Sequence, residues 1–210
     1  MSDDTGARSD RPGPNRRSHE DFDASYAGTP PWDIGRPQPA FLELAEEGVL
    51  RGRVLDIGCG TGEHALMAAR FGHESTGIDM APTAIAIAEG KARERGLTAR
   101  FRVGDALQLS DLNEQVDTVL DCGLFHVFED DDRVRYVDSL RAVLPPGGRM
   151  YMLCFSDRQP GDWGPRRVTQ DEIEASFGHG WQVDSIEASR IVINIDPDGA
   201  RAWRVSIRRS

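Results

Sequence analysis

Residues 54 to 62, Val-Leu-Asp-Ile-Gly-Cys-Gly-Thr-Gly, constrain the fold of this chain more than any other stretch. A short apolar run carrying an acid, Asp56, leads into a turn with glycine at alternate positions, Gly58, Gly60 and Gly62, and then into a helical run from Glu63 to Phe71. Such glycines let the backbone bend sharply and let a ligand approach without meeting a Cβ. A helix opening at the turn points its unpaired N–H groups into the same space. In open α/β sheets the ligand site lies at this place, beyond the carboxyl ends of the strands.

The spacing discriminates between ligands. A dinucleotide fingerprint reads G-x-G-x-x-G and admits a pyrophosphate at its second glycine. Here the pattern is D-x-G-x-G-x-G. An acid ahead of the first glycine repels a diphosphate and suits a cation, which disfavours a nicotinamide-dependent reductase. The stretch resembles motif I of the class I S-adenosylmethionine (SAM)-dependent methyltransferases. That resemblance implies that Gly58, Cys59, Gly60, Thr61 and Gly62 wrap the methionine moiety, with Asp56 near its ammonium group. The cofactor implied is SAM, with S-adenosyl-L-homocysteine (SAH) as product and no metal.

Further landmarks follow in order. His73 to Asp79 reads as a second strand ending in an acid, the position that bonds a ribose hydroxyl in open α/β sheets. Asp79 resembles the family's ribose carboxylate, with Met80 as an apolar neighbour of the adenine. Phe101 to Ala106 gives a third strand closing on Gly104-Asp105-Ala106. This resembles the family's adenine contact, Asp105 accepting from the exocyclic amine. Cys122, after the fourth strand, is assigned to the same cofactor side.

The rest of the chain alternates strand and helix: strands at 53–57, 74–79, 99–103, 116–121 and 149–155, and helices at 62–71, 81–95 and 131–144. Alternation of this kind implies a parallel sheet covered on both faces. In the 81–95 helix, Ile85, Ile87 and Ala88 are spaced as an apolar face. Pro145-Pro-Gly-Gly148 stops one helix and turns into the next strand. Thr169 opens another helix with Asp171, Glu172 and Glu174 in its first turns. Trp181–Asn194 and Ala202–Arg208 read as two strands joined by a hairpin at Asp196-Pro-Asp-Gly199. The fold class is α/β, and the resemblance makes it a Rossmann-like, doubly wound, seven-stranded sheet. It is mostly parallel, with an antiparallel C-terminal pair and an N-terminal helical lid. Residues 1–19 read as a disordered tail, 20–50 as the lid and 51–210 as the methyltransferase domain.

Composition sets the boundaries. At 210 residues the chain suits one domain with a tail. A formal charge of −10 argues against nucleic acid as the main partner, since neutralising phosphates requires Lys and Arg. The fourth strand ends in Asp121-Cys-Gly-Leu124 rather than the Asn/Asp-Pro-Pro-Tyr with which amino-methylating nucleic-acid enzymes hold a flipped base. No apolar run is long enough to span a bilayer. Cys59, Cys122 and Cys154 are widely spaced, without a metal-ligand pattern, and read as reduced thiols. Absence of a signal-peptide core agrees with a cytoplasmic monomer or homodimer.

Methyl transfer from a sulfonium is an in-line displacement, so the protein must orient a nucleophile and keep water out. His126, at a strand's carboxyl end, is the candidate base or substrate contact. The other histidines, His19, His64, His73 and His179, receive no role. The loop 156–168, long and rich in Gly and Pro, carries Trp163 to stack on a flat substrate and Arg166 or Arg167 to hold an acidic group. Tyr26, Pro30-Pro-Trp-Asp33 and Gly35-Arg-Pro-Gln-Pro39 resemble the segment that folds over the cofactor in the thiopurine, thiol and halide methyltransferase-like group. Carried over, Trp32 lies beside SAM, Arg36, Gln38 and Pro39 shape the lid, and Tyr26 lines the substrate cavity as a second catalytic candidate. Together with residues 153–169, this segment resembles bacterial heterocyclic toxin methyltransferases, which cap O, N or S on small aromatic antibiotics. The implied function is detoxifying methylation of a small heteroaromatic or thiol. The alternatives are a biosynthetic quinone O-methyltransferase and a SAM-binding regulator without catalysis.

Overall fold

The computed structural model describes residues 19–210, so the expected tail lies outside the described residues except for His19. Two short helices, α1 (His19–Ser25) and α2 (Pro39–Glu46), precede the sheet. Then β1 (Val54–Ile57), α3 (Glu63–Arg70), β2 (Ser75–Asp79), α4 (Pro82–Arg95) and β3 (Ala99–Val103) build one half of it. β4 (Thr118–Cys122), α5 (Asp130–Val143) and β5 (Arg149–Phe155) build the other. α6 (Gln170–Ser176), β6 (Trp181–Ile193) and β7 (Asp196–Arg209) complete the chain.

The seven strands lie in the order β3-β2-β1-β4-β5-β7-β6. β1 to β5 are parallel, and β7 runs antiparallel to both β5 and β6. The order reverses between β1 and β4, which opens a crevice at their carboxyl ends.

Period-two alternation sends successive residues to opposite faces of the sheet. Leu55, Ile57, Val119, Met150 and Met152 pack with Tyr136, Val137 and Leu140 of α5 and Ile173 of α6. On the other face Val54, Leu120, Tyr151 and Leu153 pack with Phe41 and Leu44 of α2 and Met67 of α3. α6 begins with a full capping box: Thr169 accepts from the N–H of Glu172, whose carboxylate accepts from the N–H of Thr169. In α4 the buried face is Ala84, Ile85, Ala88 and Ala92, while Ile87 is exposed.

Two glycines shape the frame. Gly62 caps α3 at φ +85°, and a Cβ there would lie 2.6 Å from the Phe101 ring and 2.8 Å from Ala88. Gly62→Ala combines a left-handed backbone with overpacking and should cost about 2 kcal/mol of stability in denaturant unfolding. An unchanged midpoint would show that the α3–α4 contact relaxes freely.

Gly199 corrects the expected hairpin. The turn falls at 194–195, with Ile193 paired to Asp196, and Pro197 to Gly199 lie inside β7 at a register shift opposite Val192. Gly199 sits at φ +65°, where a Cβ would meet the Ile191 carbonyl at 2.7 Å. It serves a bulge within the strand rather than the turn.

Candidate active site

Three carboxylates converge at the carboxyl ends of β1, β2 and β4. Asp56 is 1% exposed. Its Oδ2 accepts the N–H of Ala65 at 3.1 Å, capping the first turn of α3, and its Oδ1 has no partner. Burial, helped by Asp79 and Asp121, raises its pKa to about 8. Asp79 accepts the N–H of Gly60 at 2.8 Å through Oδ2 and that of Ala81 at 2.9 Å through Oδ1. Burial raises its pKa as well. Asp121 accepts from the N–H groups of Leu124 and Phe125 and from the Tyr136 hydroxyl at 2.9 Å. Burial lifts its carboxyl to about 6.

The glycine loop is held from beneath and above. The Cys59 N–H donates to the Ile78 carbonyl, and its thiol is buried with Leu66, Ile85 and Phe101. Cys59 therefore supports the loop from the core side. Tyr26 lies above, where a Cβ on Gly60 would come within 2.9 Å of its hydroxyl oxygen. Trp32 donates its ring N–H to that oxygen at 3.1 Å. Burial and Asp79 push the phenol's pKa up, so Tyr26 keeps its proton. The structure thus sets the Tyr26 hydroxyl over the glycine loop at Gly60.

The rest of the N-terminal segment is stitched down by polar contacts. Thr61 donates its hydroxyl to Asp33 at 3.0 Å, and Lys91 reaches Thr61 at 2.7 Å and Glu63 at 2.8 Å. The Gln38 amide pairs with both backbone groups of Val192. Asn194 donates to the carbonyls of Pro30 and Pro31. A cavity of about 560 Å³ remains between this segment, Lys91 and the β6–β7 hairpin, with Arg36 at its wall.

At the carboxyl end of β3, Gly104 donates to the Asp79 carbonyl. Asp105 accepts from the N–H of Leu107 at 2.8 Å, starting a 3-10 turn that opens with buried Ala106. Met80 and Cys122 are half-buried at the ends of β2 and β4.

Farther along the crevice, His126 is buried against Phe155, ring centroids 5.0 Å apart. Phe155 meets Trp163 edge-on at 5.8 Å, and the Arg167 guanidinium lies over both rings. His126 accepts the N–H of Phe155 on Nδ1 at 2.9 Å, which leaves the ring proton on Nε2. Burial, with Arg133 and Arg167 nearby, lowers its pKa to about 3. This gives the ring a donor's chemistry at neutral pH, which fits a substrate contact, one of the two roles expected of it, rather than a base.

Arg166, the other expected substrate contact, is engaged by Asp130 at 2.6 Å and by Glu172. Arg167 instead binds four carbonyls of its own loop, those of Gln159, Gly161, Trp163 and Pro165. Two residues escaped the sequence reading. Arg133, 3% exposed, lies over the Phe125 ring with Nε and Nη2 unpartnered. His64 accepts the N–H of Gln38 at 3.1 Å and sits 3.9 Å from Asp56. A lone histidine on a helix carries no sequence signal for either contact. Among the described residues, no group of His, Cys, Asp or Glu is arranged to hold a metal. Nor is any helix there long and apolar enough to cross a membrane.

A crevice between β1 and β4 that ends in a buried acid, a glycine loop and a second acid defines a nucleoside-cofactor-binding α/β protein. Residues 54–148 match the methyltransferase-domain family. Over 186 residues, 83% of the chain and 82% of the relative, it is 38% identical to the 2-heptyl-1-hydroxyquinolin-4(1H)-one methyltransferase of Mycobacteroides abscessus. Over 158 residues, 70% of the chain and 66% of the relative, it is 30% identical to the probable thiol methyltransferase 2 of Arabidopsis thaliana. A structure solved in connection with the conversion of a disulfide bond into a thioacetal group during echinomycin biosynthesis superimposes with a TM-score of 0.84. It is 39% identical, and the match covers 92% of this chain and 93% of that one. The chain belongs to the SAM-dependent methyltransferases. The residues present fit that cofactor, since the unpartnered, buried Oδ1 of Asp56 is an acceptor suited to a cationic ammonium.

Proposed function

We propose that this methyltransferase acts on O, N or S of a small heteroaromatic or thiol compound, in a detoxifying role. The observation that carries the reading is the aromatic cluster of His126, Phe155 and Trp163 with Arg167 over the last two rings: Trp163, exposed where the other two are buried, offers a face to a flat acceptor. The two similar enzymes named for a hydroxyquinolone and a thiol, and the structure linked to disulfide chemistry, point to the same acceptor class.

When bound, SAM supplies an electrophilic methyl group on a sulfonium. In this proposal Asp56 holds the ammonium, Asp79 the ribose, and Asp105 with Met80 the adenine edge. Gly58, Gly60 and Gly62 let the backbone close on the methionine chain, and Trp32 and Tyr26 cover it and exclude water. Residues 20–50 act as the lid. Cys122 lies beside the transfer path. Its pKa is raised by burial, so it stays a neutral thiol. His126 donates from Nε2 to the acceptor, and Trp163 packs on the acceptor's face. Arg166 acts at one remove, by fixing the loop through Asp130 and Glu172. Orientation in line contributes most of the rate, on the order of 7–11 kcal/mol.

A donor role for His126 has a kinetic consequence. kcat/KM should show no limb near pH 6.5 from this residue, and His126→Gln should lower it less than tenfold while keeping the profile's shape. A limb that disappears in the variant would return His126 to general-base duty. The acceptor class is tested by incubating SAM with hydroxyquinolines, aromatic thiols, catechols and quinols, read by mass spectrometry. Methylated hydroxyquinoline or thiol is expected. Methylation confined to quinols or catechols would move the enzyme to quinone biosynthesis, and SAM binding without any product would favour a regulator.

A further inference from the structure

His64 stands at the junction of three elements. It is the second residue of α3, its side chain is 12% exposed, and its ring meets Phe41 of α2 edge-on at 5.0 Å. Its Nε2 accepts the N–H of Gln38 at 3.1 Å, so that nitrogen carries no proton and Nδ1 does. Nδ1 lies 3.9 Å from Oδ1 of Asp56, the buried carboxylate oxygen with no other partner. That distance is just beyond hydrogen-bond reach. Gln38 itself is 3% exposed and fixed on its far side by its paired bonds to Val192.

We propose that His64 is a positioning residue of the cofactor site. Held as the Nδ1–H tautomer by the Gln38 backbone, it presents a proton to Asp56 Oδ1 and thereby couples docking of the N-terminal segment to the ammonium-binding carboxylate. The inference rests on the reading of Asp56 as the ammonium site. The charged neighbours of Asp56 oppose its charge, Asp79 on β2 and Asp121 on β4, and the thiols of Cys59 and Cys122, raised by burial, are neutral. Glu63, the charged neighbour of His64, is already neutralised by Lys91 and Arg95. Burial lowers the His64 pKa to about 4, so the ring remains a neutral donor wherever the enzyme works. Ionisation of Asp56 on meeting a cation then draws the Nδ1–H into a charge-assisted bond, which makes Nε2 a better acceptor for the Gln38 N–H.

The test is SAH binding by calorimetry across pH 5.5–8.5. His64→Phe keeps an aromatic of similar shape without either polar contact. It should weaken binding about tenfold, as expected for one hydrogen bond to a charged group, and move the midpoint of the pH dependence upward. His64→Asn retains a donor near the Nδ1 position and should hold the midpoint close to wild type. Nitrogen-15 spectra of the wild-type complex should show a neutral His64 ring protonated on Nδ1. Wild-type affinity and midpoint in His64→Phe would overturn the proposal, as would an Nε2–H ring. So would identical behaviour of the Phe and Asn variants, because only packing would then matter. Asp56→Asn separates the two levels. If it loses affinity and pH dependence while His64→Phe does not, the ammonium reading stands and the His64 role falls. If it binds as wild type, both fall.

Discussion

Asp79→Ala should reduce SAH affinity about 100-fold or more. The carboxylate holds the site together, and in the proposed map it also takes the ribose. One oxygen accepts from Gly60 in the glycine loop and the other from Ala81 at the start of α4. A carboxylate has about four acceptor positions, so each oxygen keeps capacity for a ribose hydroxyl. Alanine removes those acceptors and strands the Gly60 N–H in a covered loop. Losses of about 1.5–3 kcal/mol for each hydrogen bond to a charged group accumulate to that factor. Asp79→Asn retains one acceptor oxygen and should lose only about tenfold. Calorimetric titration with SAH reads both, and wild-type affinity in the alanine variant would remove Asp79 from the cofactor map.

The second large effect is on pH. Below about pH 8 the Asp56 carboxyl of the cofactor-free protein is protonated, because burial raises it to that value. Holding an ammonium requires the carboxylate, so binding releases a proton. SAH affinity should therefore climb by up to about tenfold per unit from pH 6 to 7.5, flattening near 8 as the ligand's own α-amino group begins to deprotonate. The stability of the free protein has the opposite sign. Between the unfolded carboxyl value near 4 and about 8, the native state binds the extra proton, so stability falls as pH rises through that window. Asp121, raised to about 6, adds to the fall in the lower half. Below about pH 6.5 His64 and His126, lowered to about 4 and 3, act the other way, because the unfolded state binds their protons. Thermal unfolding from pH 6.5 to 8 should therefore show a declining Tm without ligand and a growing increment with saturating SAH. A Tm that rises over this range, or an increment independent of pH, would contradict the assignment.

Much of the fold was legible because β1, β2 and β4 are short buried strands with an acid at or next to the last residue, Asp56, Asp79 and Asp121, each followed by turn or helix signals. The hairpin was misplaced because Asp196-Pro-Asp-Gly199 has the chemistry of a turn, while tertiary pairing uses its glycine for a bulge against Ile191. At the site, the turn between β1 and α3 could be read because its glycine spacing is local. His64 could not, since its partners Gln38 and Asp56 approach it only when α2 docks on α3. The partners of Arg166 were hidden for a related reason. A guanidinium in a Gly/Pro loop looks available for substrate until Asp130 and Glu172, from two other elements, close on it. The tautomer of His126 likewise depends on a backbone N–H of β5, which no spacing within its own segment announces.

A crystal structure with SAH tests the central claim most directly. The account predicts the ribose hydroxyls on Asp79, the ammonium beside Asp56 Oδ1, and the sulfur facing the His126–Phe155–Trp163 wall beneath Trp32. Density for SAH elsewhere, above all in the cavity walled by Arg36, Lys91 and Asn194, would contradict it.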